Sequence, residues 1–395
     1  MADIEAMDGV AAGSIEAVNG VAKADIQAIN GCGIPASGAS LWTIVGADGA
    51  VATAAHSDLN AWTGYVSADM QHGGGGSSKD YNAVAYGKDG SGNPLWVAVS
   101  SDGNREIRYT SDPTAGVDAW TDVAPSSPGQ LFTVLWGNNV WMAAGKDGDM
   151  WRSTDGSTWS EVDMSGVTGW YSSGVDVRHL ASDGAGTWMC DHHDFIFKST
   201  DNGQNWTKVY DTADAPLNEE DYRIRGIAYS THSGTSRWVV LARDSGQTRI
   251  IHATAADTSS WTEATLDGSA AQNQNLVPHS NRHIAAAGST VIMATGDNIS
   301  RSTDGGQDWT YTSDDGNDLP KTDARGLATD GNGTWVVVHD NGRVSISTSD
   351  GAPGSWAEQS GNNASTGDRE RLSFPFNGTN VENLDAVAAN VLLPL

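Results

Sequence analysis

Apolar positions in this chain fall in short runs of about four to six residues, each closed by a turn rich in Gly, Asp and Asn. The clearest set lies near the end: runs over 324–328, 334–338 and 343–347, parted by turns at 329–333 and 340–342. A second set repeats it at 177–181, 186–190 and 195–198. Runs of this length with β-branched and aromatic residues, bounded by turn formers, predict strands rather than helices. After the third strand of each set comes a turn that ends in tryptophan, and then a fourth strand. These turn tryptophans are Trp62, Trp120, Trp159, Trp206, Trp261, Trp309 and Trp356, spaced 39 to 58 residues apart. Four strands per unit and a period in the forties predict propeller blades. The expected fold is all-β: a seven-bladed β-propeller.

The first blade lacks an inner strand, because 41–45 matches a second strand. The far end of the chain offers candidates to complete it, among them Arg371, Leu372, Ser373 and Phe374, and the apolar segment 381–395 is either a tail or a closing strand. Closure of this kind removes an exposed sheet edge. The propeller is therefore placed at 41–380.

A different repeat occupies the first 34 residues. Ile4, Ile15 and Ile26 each open a unit that ends in Asp-Gly or Asn-Gly, with a period of 11. Two apolar residues three apart sit on one face of a helical turn, and the Asp/Asn-Gly suits a left-handed stop. The expectation is a segment, 1–40, of three helical turns that docks on its own copies or on a neighbouring protein. An Ala/Gly-rich disordered leader is the alternative.

Net charge alters the choice of partner. With 49 acidic and 22 basic residues the chain carries −27. Such a surface repels phosphate backbones and anionic membranes, so neither nucleic acid nor membrane insertion is expected. The start of the sequence lacks a basic region followed by an apolar stretch, so no secretory signal is expected. Cys32 and Cys190 lie far apart and form no disulfide framework. The 16 tryptophans supply large buried area to a chain poor in Leu and Phe.

The turn Ser-x-Asp-x-Gly-x-x-Trp is complete twice, at Ser199, Asp201, Gly203 and Trp206 and at Ser302, Asp304, Gly306 and Trp309. Ser and Asp side chains can hold backbone N–H groups in such a loop, and Gly permits a positive φ. These are structural roles. They extend to Asp155 and Trp159 and to Asp350 and Trp356. The turn resembles the Asp-box (bacterial neuraminidase repeat) of sialidases, sortilin-type receptors, xyloglucan hydrolases and the photosystem II assembly-factor propeller. The resemblance covers about 41–376. It implies the blade and leaves the activity open. A sialidase would carry a Phe/Tyr-Arg-Ile-Pro motif near its start. Here Tyr222, Arg223 and Ile224 are followed by Arg225, in the fifth blade, so no catalytic residue is carried over and these residues are read as an inner strand.

Arg178, Arg225, Arg282 and Arg325 begin four inner strands in equivalent positions, which a propeller brings to one channel mouth. On the same face each hairpin between second and third strands carries an acid: Asp48, Asp102, Asp147, Asp194, Asp244, Asp297 and Asp340. One reading is Arg–Asp pairs that fasten blades together. The other is an anion or glycan pocket in which arginine holds a carboxylate. Adjacent His192 and His193 point to opposite sides of a strand and do not suit one metal ion. No metal spacing, phosphate loop or nucleotide fingerprint is present, so no cofactor is expected.

The leader repeats resemble those on structural and tail-fibre proteins of marine bacteriophages. This implies a virion component, made in the host cytoplasm, that is anchored to other virion proteins through residues 1–34. It would be a homo-oligomer showing a non-catalytic propeller to host-surface glycan. A glycoside hydrolase of sialidase or xyloglucanase type and an assembly chaperone are the alternatives.

Overall fold

A computed structural model describes residues 41–66, 80–101, 106–116, 118–123, 129–218, 222–243, 248–267, 284–295, 298–312, 324–339, 342–358 and 384–389, together with six two-residue strands before residue 34. The main body is seven antiparallel sheets arranged around a channel. In five of the sheets the strands run from an inner one at the channel to an outer one in chain order; the first and sixth blades depart from this. In the fifth blade these strands are Arg223–His232, Thr235–Arg243, Thr248–Thr254 and Asp257–Glu263. The sixth blade gains a short outer strand, Thr265–Leu266, that runs parallel to Asp308–Thr312.

Ring closure comes from Leu384–Ala389, which pairs antiparallel with Leu41–Gly46 and supplies the inner strand of the first blade. Arg371 to Phe374, the other sequence candidates, lie outside the described residues. Val387 and Trp42 are buried in the cluster that joins the first and seventh blades. The edge left by the incomplete first blade is thereby covered.

The N-terminal repeats are not helical turns. Ala6–Met7 pairs with Val10–Ala11, Ala17–Val18 with Val21–Ala22, and Ala28–Ile29 with Cys32–Gly33. Each unit is a pair of two-residue antiparallel strands, and in the sequence Asp-Gly or Asn-Gly stands between them. That dipeptide is the strongest short hairpin signal, because both residues tolerate positive φ. The sequence reading used it as a helix stop, and the flanking Ala and Val fit a strand equally well.

Blades pack through two sets of tryptophans. The turn set includes Trp120, Trp159, Trp206, Trp261, Trp309 and Trp356, all buried. A second set, Trp42, Trp96, Trp141, Trp188, Trp238 and Trp335, starts or nearly starts the second strands and is almost completely enclosed. Glycine permits close approach between inner strands: a Cβ on Gly226 would lie 2.5 Å from Ile284 Cγ2 of the next blade.

The boxed turns behave as their residues dictate. Asp201 Oδ1 accepts Ser199 Oγ at 2.8 Å and the backbone N–H groups of Gln204 and Asn205 at 3.1 and 2.9 Å. Trp206 Nε1 donates to Gly203 O at 3.0 Å. Asp304 and Trp309 repeat the pattern, and Asp155 and Trp159 give a shorter version. Asp350 does something else. Ser349 stands where the others have Asp, and Asp350 occupies the next position, at φ +55°. Its carboxylate reaches out of the loop to Arg301 Nη2 at 2.8 Å, Thr290 Oγ1 at 2.6 Å and Trp335 Nε1 at 3.3 Å. It ties the sixth blade to the seventh. Asn202 is the counterpart in the fourth blade: its carbonyl accepts Arg152 Nε at 2.9 Å, as Asp350 O accepts Arg301 Nε at 2.8 Å.

Candidate functional site at the channel mouth

The channel has a volume of about 630 Å³ and is walled by inner strands of all seven blades. Its wall is mostly apolar, with Val84, Leu135, Leu180, Ile227, Leu327 and Val387 facing it. At the start of the inner strands the register breaks. The extra residue is Asn82, Phe132, Arg225, Arg325 or Asp385 in five of the blades. A bulge adds a residue, bends the strand and re-aims a side chain. Arg178 stands just before the fourth inner strand, in the equivalent place. Four of these five bulge positions hold polar residues, Phe132 being the exception, at one end of a channel whose walls are apolar.

The rim is electropositive between the fourth and fifth blades. Arg178 Cζ lies 4.3 Å from the ring centre of Phe132 and pairs with Asp176 at 2.7 Å. Among the described residues the buried Nε of Arg225 has no partner. Burial pulls its pKa below the usual guanidinium range, and the field of Arg178 pulls the same way, with Arg243 and Arg223 adding to it and Asp191 opposing. Like charges gathered in a half-buried place are costly unless something neutralises them.

Acids and histidines complete the site. Asp194, at the tip of the fourth hairpin, pairs with Arg223 and with His193 Nδ1. The expected Arg–Asp pairing therefore exists here, but through Arg223 and not Arg225. The cause is the bulge: residues two apart share a face in a regular strand, and the extra residue at 225 breaks that alternation, so Arg223 and Arg225 meet different neighbours. Asp191 is buried. Its Oδ1 accepts the backbone N–H groups of Arg178 and His179 at 3.0 and 2.7 Å, and its Oδ2 lies 2.9 Å from His179 Nδ1. His179 is 5% exposed, lines the channel, and its Nε2 has no partner. His192 turns to the opposite side, where Nε2 meets Tyr171 O at 2.9 Å and burial lowers its pKa. Neither Asp191 nor His179 was singled out for the site by sequence. The signal for His179 is its place beside Arg178, at the first residue inside the channel.

Arg282 lies outside the described residues, as do Asp102, Asp244, Asp297 and Asp340. Asp147 Oδ1 accepts Gly174 N at 2.7 Å, which fixes the loop between the third and fourth blades. Arg325 sits at its bulge in the seventh blade. Among the described residues no cluster of His, Cys, Asp and Glu is arranged to hold a metal ion.

The model of the DUF6242 β-propeller domain matches residues 57–363. The chain belongs to the DUF6242 β-propeller family. This DUF6242 propeller is also similar to solved structures of the same architecture. One, "YCF48 bound to D1 peptide", is 15% identical, with 76% of this chain and 86% of that chain covered and a TM-score of 0.52. An ancestral GH74 enzyme is 15% identical over 76% of this chain, which spans 47% of that one, with a TM-score of 0.50. A GH74 enzyme of Niastella koreensis is 15% identical over 80% of this chain and 54% of that chain, with a TM-score of 0.46. These likenesses show the fold. A search of curated proteins found no match. Propellers of this shape include hydrolases and proteins without catalysis, so activity has to be argued from the mouth itself.

Proposed function

We propose that this DUF6242 propeller is a display module without catalysis, which recognises surface glycan through its arginine-bearing mouth. The observation that carries the reading is Arg225, half-buried among other arginines, with a buried Nε that no described residue meets. The acids nearby support binding over hydrolysis. Asp191 is held by His179 and two backbone amides, and Asp194 by Arg223. Glycoside hydrolysis needs two carboxylates free to face the scissile bond.

The setting we propose is a bacteriophage virion, as a tail-fibre or surface-decoration protein. The period-11 repeats would hold the propeller in the particle, by pairing with sister copies or with other virion proteins. Hairpins of two-residue strands cannot stand alone in water, so such repeats need a partner. Many copies would convert weak single contacts into firm attachment.

The test has two parts. Fluorescent full-length protein is applied to an array of bacterial surface polysaccharides, and particles from lysates are probed with antibody by electron microscopy and mass spectrometry. Acid-bearing glycans are expected among the hits, with the protein on the particle. Binding restricted to neutral glycans, or absence from particles, overturns the corresponding half. Turnover of sialosides or glucans by purified protein would favour a glycoside hydrolase of sialidase or xyloglucanase type. The likeness to YCF48 bound to D1 peptide motivates one further arm: retention of an unfolded peptide would favour an assembly chaperone.

A further inference from the structure

Among the described residues, His179 is a channel-lining side chain with one ring nitrogen committed and the other without a partner. Its Nδ1 is committed to the Asp191 carboxylate, so in the neutral ring the proton sits on Nδ1 and Nε2 presents a bare lone pair. That lone pair is buried without a donor, on a residue that lines the channel. A buried acceptor without a partner is destabilising, so a group that brings an O–H or N–H to it is favoured. Next to it, on the neighbouring inner strand, Arg225 marks the rim with an unpartnered guanidinium Nε. Gly226, one residue further in, also lines the channel.

We infer that the mouth between the fourth and fifth blades binds one residue of an acidic sugar, with its carboxylate on Arg225 and a ring hydroxyl donating to His179 Nε2. This rests on the glycan reading above and deepens it. An inorganic anion satisfies the arginine alone, and a neutral sugar satisfies the histidine alone. A hydroxy acid satisfies both. A third observation selects a sugar over other hydroxy acids. Tyr171 is 48% exposed, the one exposed large hydrophobic residue among the described residues. Its ring stacks at 6.1 Å on Phe195 and lies 6.4 Å from His193, whose Nδ1 contacts Arg223 and Asp194. An open aromatic face beside an arginine cluster suits the C–H face of a pyranose in a longer glycan.

Calorimetry or ligand-observed NMR on the full chain with glucuronic acid, N-acetylneuraminic acid, glucose and inorganic sulfate tests the inference. At least one sugar acid is expected to bind ten-fold or more tightly than sulfate, with no binding by glucose. Arg225→Gln should abolish the preference for the acid over glucose. His179→Leu should weaken the acid at least ten-fold while leaving sulfate unchanged, and His179→Gln, which restores an acceptor, should recover part of the loss. Melting curves confirm that each variant is folded. If His179→Leu does not fold, the His179→Gln variant and a deoxy or O-methyl series of the bound sugar carry the test. Equal binding of sulfate and sugar acid, or indifference to the histidine, overturns it. A short peptide with a free C-terminal carboxylate that outcompetes the sugar acids overturns it too. Array hits without binding of either monosaccharide sink this inference and leave the glycan reading standing. No array hit sinks both.

Discussion

Asp350 offers the sharpest check on how the blades are held together. Its carboxylate joins Arg301, Thr290 and the indole of Trp335 across two blades, and it does so at φ +55°. Asp350→Asn keeps a residue that tolerates the left-handed region and keeps one acceptor oxygen. It removes the ion pair. Since the Asp350 side chain is 43% exposed, solvent screens that pair and the expected loss is about 0.5–1 kcal/mol. Asp350→Ala loses the acceptors as well. The Trp335 indole is fully enclosed, so its N–H is left without a partner, at about 1–3 kcal/mol. Alanine in the left-handed region adds about 1 kcal/mol. The expected total is about 3 kcal/mol. The bond from Arg301 Nε to the backbone carbonyl survives both changes, as it does at Asn202. Urea unfolding followed by tryptophan fluorescence reads the midpoint, with an unchanged slope required before the shift is taken as stability. A cycle with Arg301→Ala should give a coupling of about 1 kcal/mol. Asn and Ala variants of equal stability, or a coupling below about 0.3 kcal/mol, would refute the argument.

Acidification should destabilise the fold in two stages. Burial holds His56, His192 and His252 below the ordinary 6.5, so the unfolded chain binds more protons; stability is full above about pH 6.5 and is lost as pH falls through the folded values. At Asp155, Asp201 and Asp304 burial raises the carboxyl, but the loop hydrogen bonds outweigh it and hold each below 3.8. Their contribution therefore persists above that pH and fades in stronger acid, which melting curves from pH 8 to 3 would show as two declines. Gly226→Val should cost about 1–3 kcal/mol, since its side chain meets Ile284, and a melting temperature equal to wild type would contradict that packing. Deleting the chain from residue 384 onward uncovers the edge of Leu41–Gly46, and size-exclusion chromatography should then report self-association or loss of the folded monomer peak.

The architecture was readable because each blade repeats one local rule: a strand, a tight turn, a strand, and a tryptophan that must be buried. Trp206 and Trp309 announced themselves through the Ser and Asp that fold their loops. The first hairpins were misread because Asn-Gly ends a helix and turns a hairpin with equal ease, and two apolar residues three apart do not separate the two. Asp350 differs because Ser349 takes the interior position that Asp holds in the other turns, and the acid stands one residue later, at the place of Asn202, on the outer side of the turn. At the mouth, the rim arginines Arg178, Arg225 and Arg325 were visible as an aligned column. Arg223 was not, since its partner Asp194 comes from the neighbouring blade. His179 stands beside Arg178 in the sequence, but its role depends on a partner in the next strand of its own blade. Its distinguishing property is an empty lone pair, which depends on Asp191 twelve residues away and has no signature in either position alone.

Ring closure by Leu384–Ala389 sets a timetable for synthesis. The strand Leu41–Gly46 leaves the ribosome early, yet its neighbour is made roughly 340 residues later, which at about 5–20 residues per second is on the order of 20–70 s. Throughout that interval the nascent first blade offers a half-paired strand to any passing segment, including the same strand on a neighbouring polysome. High expression therefore selects for whatever shields residues 41–46 while translation finishes, and slowing initiation should raise the yield of correctly joined rings.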